Sequence, residues 1–425
     1  MQLRRPTRRA RAATVHAVSA VSTVLALLAA PARADDPTEA SARLTLFREP
    51  STNNKGVTVI HPQVDAASPL VGGLGIAAGW EADVVSGATP AVFGPQVGVD
   101  AITKATPFHD FRQQVHGGFT YNRPDAGIGA SYAYGWENDY KSHSLSATAR
   151  DDLYDHNFTL VLSYSHNWDS VCDADNSAAV TAFDLRRLTS SAHCFNPMYE
   201  PGGSNRNPDV VTKPLAIDAL ETSLSWTMTP RLVVQGGGTI QILDGFQSNP
   251  YRSVAVGQIR EPQEHEPNYR QRYALFARAA YAFPQWRASG IGMLRLYEDS
   301  WATQAVTGDL VVNKYLSSMM LLTLRGHYHL QSGASFYRNG QEYVTLGPAG
   351  QYWTGDRELS PMSNYLVGGR MAFLRRPQQE RSTWFAEMEA DVKYELLVYH
   401  AESVNAPNSD RPYAHILQGS FSLRF

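Results

Sequence analysis

Apolar and polar residues alternate one by one along almost the whole chain. In the stretch Arg411–Phe425, the residues Tyr413, His415, Leu417, Gly419, Phe421, Leu423 and Phe425 share one face. Ala414, Ile416, Gln418, Ser420, Ser422 and Arg424 share the other. A period of two predicts a β-strand with one apolar and one polar side. The same pattern recurs at 156–168, where Phe158, Leu160, Leu162 and Tyr164 oppose Thr159, Val161, Ser163 and Ser165. It recurs again at 318–331 and 382–398. These runs are longer than the usual strand of a soluble protein, and long enough to cross a bilayer at a tilt.

What separates the runs alternates too. Short turns such as Arg123–Ala126, Asp152–Asp155, Thr229-Pro230 and Pro284–Trp286 take turns with long polar stretches at 87–110, 169–215, 245–268, 332–362 and 399–411. Outer-membrane β-barrels have this asymmetry, with short periplasmic turns and long outer loops. Parity then sets the count. Starting at 56–65 gives an odd number and inverts the sidedness. An added strand at 42–49 gives sixteen, with both termini periplasmic and every long loop outside. The predicted strands are 42–49, 56–65, 71–86, 111–122, 127–138, 141–151, 156–168, 216–228, 231–244, 269–283, 287–299, 302–314, 318–331, 363–375, 382–398 and 412–425. Fourteen is the alternative count. The expected fold class is all-β, a transmembrane antiparallel barrel over 35–425.

The N-terminus reads as a secretory signal peptide over 1–34. Arg4, Arg5, Arg8, Arg9 and Arg11 precede the mostly apolar run Ala17–Ala30, and Ala32-Arg33-Ala34 supplies small residues for cleavage. The expected location is the outer membrane of a Gram-negative bacterium. Outer-membrane lipids, the barrel-assembly machinery and a periplasmic or surface protein are the expected partners. Phe421, Leu423 and Phe425 are the expected assembly signal. A net charge of −3 argues against nucleic acid. The 21 Tyr, 16 Phe and 8 Trp suit aromatic girdles around a barrel.

The two cysteines, Cys172 and Cys194, fall in one polar stretch of a secreted chain and are expected to form a disulfide. Closing a loop of about 22 residues would contribute roughly 3 kcal/mol. A metal site using Asp173, Asp175 and His193 is the competing reading, but its spacing matches no zinc pattern. No cofactor, no metal and no catalytic residue is assigned.

The polar face of the predicted strands is charged. Arg270, Arg272 and Arg278 line one strand, Arg325, His327 and His329 a second, and Glu387, Glu389, Asp391, Lys393 and Glu395 a third. A barrel of about sixteen strands is too wide for side chains to fill, so opposed acidic and basic walls would select solutes by charge in a wet pore. The competing reading is that these charges pair off, or hold an inward-folded loop. His109, Asp110, His166, Asp169 and His265 lie in or near predicted outer loops, where a barrel-borne surface hydrolase would hold its chemistry, but spacing assembles no nucleophile and base from them. The function expected is therefore a passive pore or a membrane-embedded scaffold for an envelope partner, with the hydrolase of protease or lipase type as the alternative.

Several motifs add a resemblance. The segments Val84–Pro90, Asp100–Phe108, Asn249-Pro250-Tyr251-Arg252, Tyr297–Trp301 and Gly333–Tyr337 occur in order. Together they resemble the bacterial family catalogued as domain of unknown function 3570, over most of 50–425. The resemblance implies an outer-membrane barrel and assigns no activity. The cysteine-bearing loop departs from the family's pattern, so no role is carried onto it.

Overall fold

The alternating segments all become strands. In the computed structural model, residues 38–50, 57–87, 108–137, 139–188, 194, 210–254, 256, 261–375, 387–401 and 413–425 are described. The signal-peptide segment 1–34 lies outside them, as do most of the predicted 87–110 and 399–411 loops. The strands are β1 Glu39–Glu49, β2 Val57–Pro69, β3 Leu74–Gly87, β4 Phe108–Asn122, β5 Ala126–Trp136, β6 Tyr140–Leu153, β7 Phe158–Ala174 and β8 Val210–Thr229. They continue as β9 Leu232–Gly245, β10 Tyr269–Phe283, β11 Ala288–Asp299, β12 Gln304–Tyr315, β13 Met320–Gln331, β14 Met362–Arg375, β15 Glu387–Ala401 and β16 Tyr413–Arg424. Each pairs antiparallel with its sequence neighbours, and β1 pairs with β16 to close a ring of sixteen. Fourteen strands is thereby excluded.

Closure leaves the ring without a free edge, as a wall in hydrocarbon would require. At the seam Glu39 stands opposite Arg424, and the Phe425 amide donates to the Thr38 carbonyl at 2.9 Å. Parity held because it counts reversals of direction, which do not depend on where a strand begins. Boundaries held less well. β7 and β8 run past the predicted ends at 168 and 216, pairing Asp169 with Leu215 through to Ala174 with Val210. Asp169, Asp173 and Lys213 make that extension read as a polar loop. β3 starts later than predicted because Gly72 and Gly73 turn the chain at positive φ. A Cβ on Gly73 would lie 2.2 Å from the Asn122 carbonyl oxygen, so that turn needs glycine.

The two faces of the wall differ as alternation requires. Outward side chains such as Leu160, Leu162, Leu224, Leu294, Leu310, Leu324 and Val392 are exposed. Aromatics flank this apolar band at both ends. Phe158 stacks on Trp226 at 5.7 Å and Phe283 on Trp286 at 5.4 Å beside the short turns. Tyr134 with Trp136 and Tyr328 with Tyr365 lie toward the other end.

That other end is the mouth, where the long connections gather. The β9–β10 and β13–β14 connections interlock there with Ala182 and Phe183 of the β7–β8 connection. Val254, Val256, Tyr343 and Trp353 are buried together, and Phe183 stacks on Trp353 at 5.0 Å. A short helix, α1 (Gly340–Leu346), is capped by Asn339 and supplies Tyr343. The Tyr343 hydroxyl donates to the Phe336 carbonyl at 3.0 Å and accepts from the Thr354 amide at 3.0 Å. This makes a small cap with its own core.

Candidate functional site

Paired residues on neighbouring strands share a face, so the registers show which side chains line the interior. Leu243, Arg270 and Arg272 of β9–β10 face inward with Tyr297 and Asp299 of β11. Arg278 stands on the same face four residues beyond Ala274, and Arg295 of β11 pairs with Phe276. Arg325, His327 and His329 of β13 face the same interior with Asp309 of β12. Glu387, Glu389, Asp391, Lys393 and Glu395 follow on β15, opposite Arg424, Ser422, Ser420, Gln418 and Ile416 of β16. The outward face of β16 carries Phe421 and Leu423, and Phe425 closes the strand at the seam.

Placement on one face does not make these charges alike. On β13–β16 nearly every one has an immediate partner. Arg325 holds Asp309 at 2.8 Å and Glu395 at 3.4 Å. Arg370 of β14 holds Asp391 at 2.9 Å and also Glu389. Lys393 reaches Glu395 at 3.1 Å, and Arg424 reaches Glu387 at 3.1 Å. His327 lies 3.1 Å from Asp309. His329 bonds Thr307 and Gln331 at 2.8 and 3.1 Å.

On β10–β11 the balance differs. Arg270 is committed to one oxygen of Asp299 and stacks 4.1 Å from the Trp301 ring. Asp299 also accepts from the Tyr297 hydroxyl and from the amides of Trp301 and Thr303. Arg272 donates to the Gln241 side chain at 3.1 Å, and its Nε is buried without a partner. Arg278 and Arg295 have no carboxylate within ion-pair distance among the described residues. Arg295 was not singled out from the sequence. It sits between Leu294 and Leu296, an alternation that could have found it.

The wall halfway round the ring has a different character. His61 of β2 bonds Asp83 at 2.7 Å and lies 3.8 Å from Glu81. His116 of β4 lies 3.3 Å from Asp65. On β2 the inward Val57 and Val59 blur the alternation that would have found Asp65.

The cap brings a second set of charges to the mouth. Arg252 lies between Glu264 at 2.8 Å and Asp356 at 3.2 Å. Burial opposes its charge, but the two carboxylates outweigh that and keep it protonated. The Thr354 hydroxyl lies 3.0 Å from Glu264 and 2.8 Å from Glu266. The single hydroxyl proton can serve only one of the two at a time. Burial, with Glu264 and Asp356 nearby, raises the Glu266 carboxyl well above the ordinary range. Beyond it, Arg357 reaches Glu49 of β1 at 3.4 Å and stacks 4.3 Å from the Tyr399 ring. The Gln331 amide donates to the carbonyls of Glu358 and Ser360. The segment 356–360 therefore sits inside the rim. Burial and Asp356 push the Glu358 carboxyl up to about 8.

Cys172 and Cys194 form the disulfide, with Cα atoms 5.6 Å apart. It ties the long β7–β8 connection to the wall, where Asp173 bonds Gln263 at 2.8 Å and Lys213 at 2.6 Å. Neither cysteine is free for a metal. The scattered acids and histidines do not converge. His166 faces outward and bonds Asp218 rather than Asp169, which instead accepts from Tyr140. His265 packs against Trp353 in the cap. The side chains of His109 and Asp110 lie outside the described residues.

A family model described as "Protein of unknown function (DUF3570)" matches residues 8–372. The chain belongs to that family. The match begins earlier than the resemblance in the sequence motifs and stops within β14, so β15 and β16 lie beyond it. No curated protein matches this DUF3570 chain. Solved structures similar to it include a bacterial polysaccharide outer membrane secretin, at 9% identity and TM-score 0.46, covering 91% of this chain and 98% of that one. The ferric-catecholate import receptor Fiu of E. coli K12 is similar at 10% identity and TM-score 0.41, covering 92% and 82%. Pseudomonas aeruginosa OccK2 (OpdF) in complex with glucuronate is similar at 9% identity and TM-score 0.39, covering 92% and 98%.

Proposed function

We propose that this DUF3570 protein is an outer-membrane pore that passes small solutes passively. The observation that carries the reading is the two-faced wall. An exposed apolar band between two aromatic girdles suits hydrocarbon between headgroup layers. An inward face of Arg, His, Asp and Glu suits water, since such groups stay charged only where they are paired or solvated. A closed ring of sixteen strands is at the size where barrels leave an aqueous channel. The cap across the mouth then acts as the constriction, and the interior charges act on whatever passes it.

The test is conductance of the full chain in planar bilayers. Discrete steps in symmetrical KCl are expected, with amplitudes set by the constriction. A correctly folded barrel that inserts without conducting would overturn the pore reading and leave a membrane-embedded scaffold.

A further inference from the structure

We infer that the β10–β11 wall is a binding track for small multivalent anions, polycarboxylates or phosphates, built from Arg272, Arg278 and Arg295. The inference rests on the pore reading and names the class of solute that the interior favours.

Four observations converge on it. First, Arg272, Arg278 and Arg295 share one interior face, and none forms an ion pair among the described residues. Second, the carboxylates on the adjacent wall strands are spent elsewhere, and Glu358 of the cap, near Arg272, is pushed up to about 8 by burial and Asp356. Asp299 is saturated by Arg270, Tyr297 and two backbone amides, and Asp309 is held by Arg325 and His327. Third, Arg272 keeps an unpartnered, buried Nε and is bonded through its other arm to a neutral amide, Gln241. A guanidinium so held has donors left for a bidentate oxyanion. Fourth, Arg278 and Arg295 are diagonal neighbours, because Arg278 pairs with Met293 and Arg295 with Phe276. Diagonal positions on a sheet are roughly 7–8 Å apart, so two guanidinium heads can close on one multivalent anion.

Opposite the track, Asp65, Glu81 and Asp83 share the inward face with His61, His116, Arg43 and Arg112, so charges of both signs meet on that side. Unpaired guanidiniums under low-dielectric walls also hold their field over the width of a pore, whereas paired charges cancel at short range. Three cationic stations at successive depths allow an anion to step along the wall rather than stop at one site.

The test uses the full chain in planar bilayers, with the Arg278→Gln/Arg295→Gln double variant and the Arg278→Lys/Arg295→Lys double variant as its conservative partner. Wild type under a KCl gradient is expected to prefer chloride, and millimolar pyrophosphate is expected to block its current. The Gln pair should lower the chloride preference several-fold and abolish the block. The Lys pair should keep the preference and weaken the block, because lysine supplies charge without the bidentate fork. A conducting wild type that prefers cations, or a folded Gln pair with unchanged preference and block, would overturn the track while leaving the pore intact. Should wild type not conduct, pyrophosphate binding to the detergent-solubilised protein decides. Binding that is lost in the Gln pair supports the track, and its absence in wild type overturns it.

Discussion

Two stretches of the interior wall carry four cationic side chains each among the described residues and hold most of them in opposite states. On β13–β16, Arg325, Arg370, Lys393 and Arg424 are each locked to a carboxylate. On β10–β11, Arg272, Arg278 and Arg295 face the same lumen without one. The paired stretch behaves as internal bracing, cross-linking three or four strands through side chains. The unpaired stretch has its electrostatic potential left to act on something else. Reading charge strand by strand cannot tell these apart, because what distinguishes them is the neighbour on the next strand.

The largest effect that would sharpen this contrast is on stability. Arg370→Ala leaves Asp391, which is only 4% exposed, beside Glu389 with its cation gone. Removing one partner of a buried pair costs about 3 kcal/mol or more. Unfolding of the barrel in urea should therefore show a clear loss for Arg370→Ala. Arg278→Ala should stay within about 0.5 kcal/mol, as for a side chain that braces nothing. Equal losses in the two variants would erase the distinction between the walls.

A smaller effect concerns selectivity. Glu387→Gln with Glu389→Gln removes two interior carboxylates, while Arg424 keeps Glu39 and Arg370 keeps Asp391. The reversal potential should move toward anions, and by less than the opposite shift from the Arg278/Arg295 pair. A larger shift from the glutamates would place the dominant field on β15.

The smallest effect is a pH dependence that links the cap to the free wall. Glu358 is held at about 8 by burial and Asp356, with Arg357, Arg252 and Arg272 acting in the opposite direction. Its folded value lies above its unfolded one, so its proton stabilises the cap most at low pH. That contribution fades as pH rises from the ordinary carboxylate range through about 8. Above that pH a negative charge appears near Arg272. Anion preference should therefore decline modestly between pH 7 and 9, and amide protection of 353–359 should decline with it. Glu358→Gln should flatten both curves. A decline that survives Glu358→Gln would assign it to another group.

The architecture was far more legible in the sequence than the site. Alternation such as Phe158-Leu160-Leu162 against Thr159-Val161-Ser163 survives because the outward face stays apolar whatever its neighbours are. Direction parity then recovered β1, whose own pattern is poor. It could not recover the upper halves of β7 and β8. There those strands are buried against the long connections, and Asp169, Asp173 and Lys213 erase the period. The eleven interior residues named from the sequence all fall on the inward face. Which of them are neutralised depends on register, as with Asp391 beside Arg370, and single-strand periodicity contains no register. The cap was invisible for a similar reason. Tyr343, Trp353, Val254 and Glu264 come from different long connections that meet only when the ring is closed.

The seam between β1 and β16 has a consequence for how the protein comes to exist. Every other pair of neighbouring strands is local in sequence, but this one joins Glu39 to Arg424. Bringing ends so far apart together costs on the order of 5 kcal/mol of chain entropy, growing as the logarithm of the intervening length. No part of that cost is returned until β16 is delivered, so β1 must wait as a bare template while fifteen strands zip up behind it. Its hydrogen-bonding edge is where a premature pairing would do the most harm.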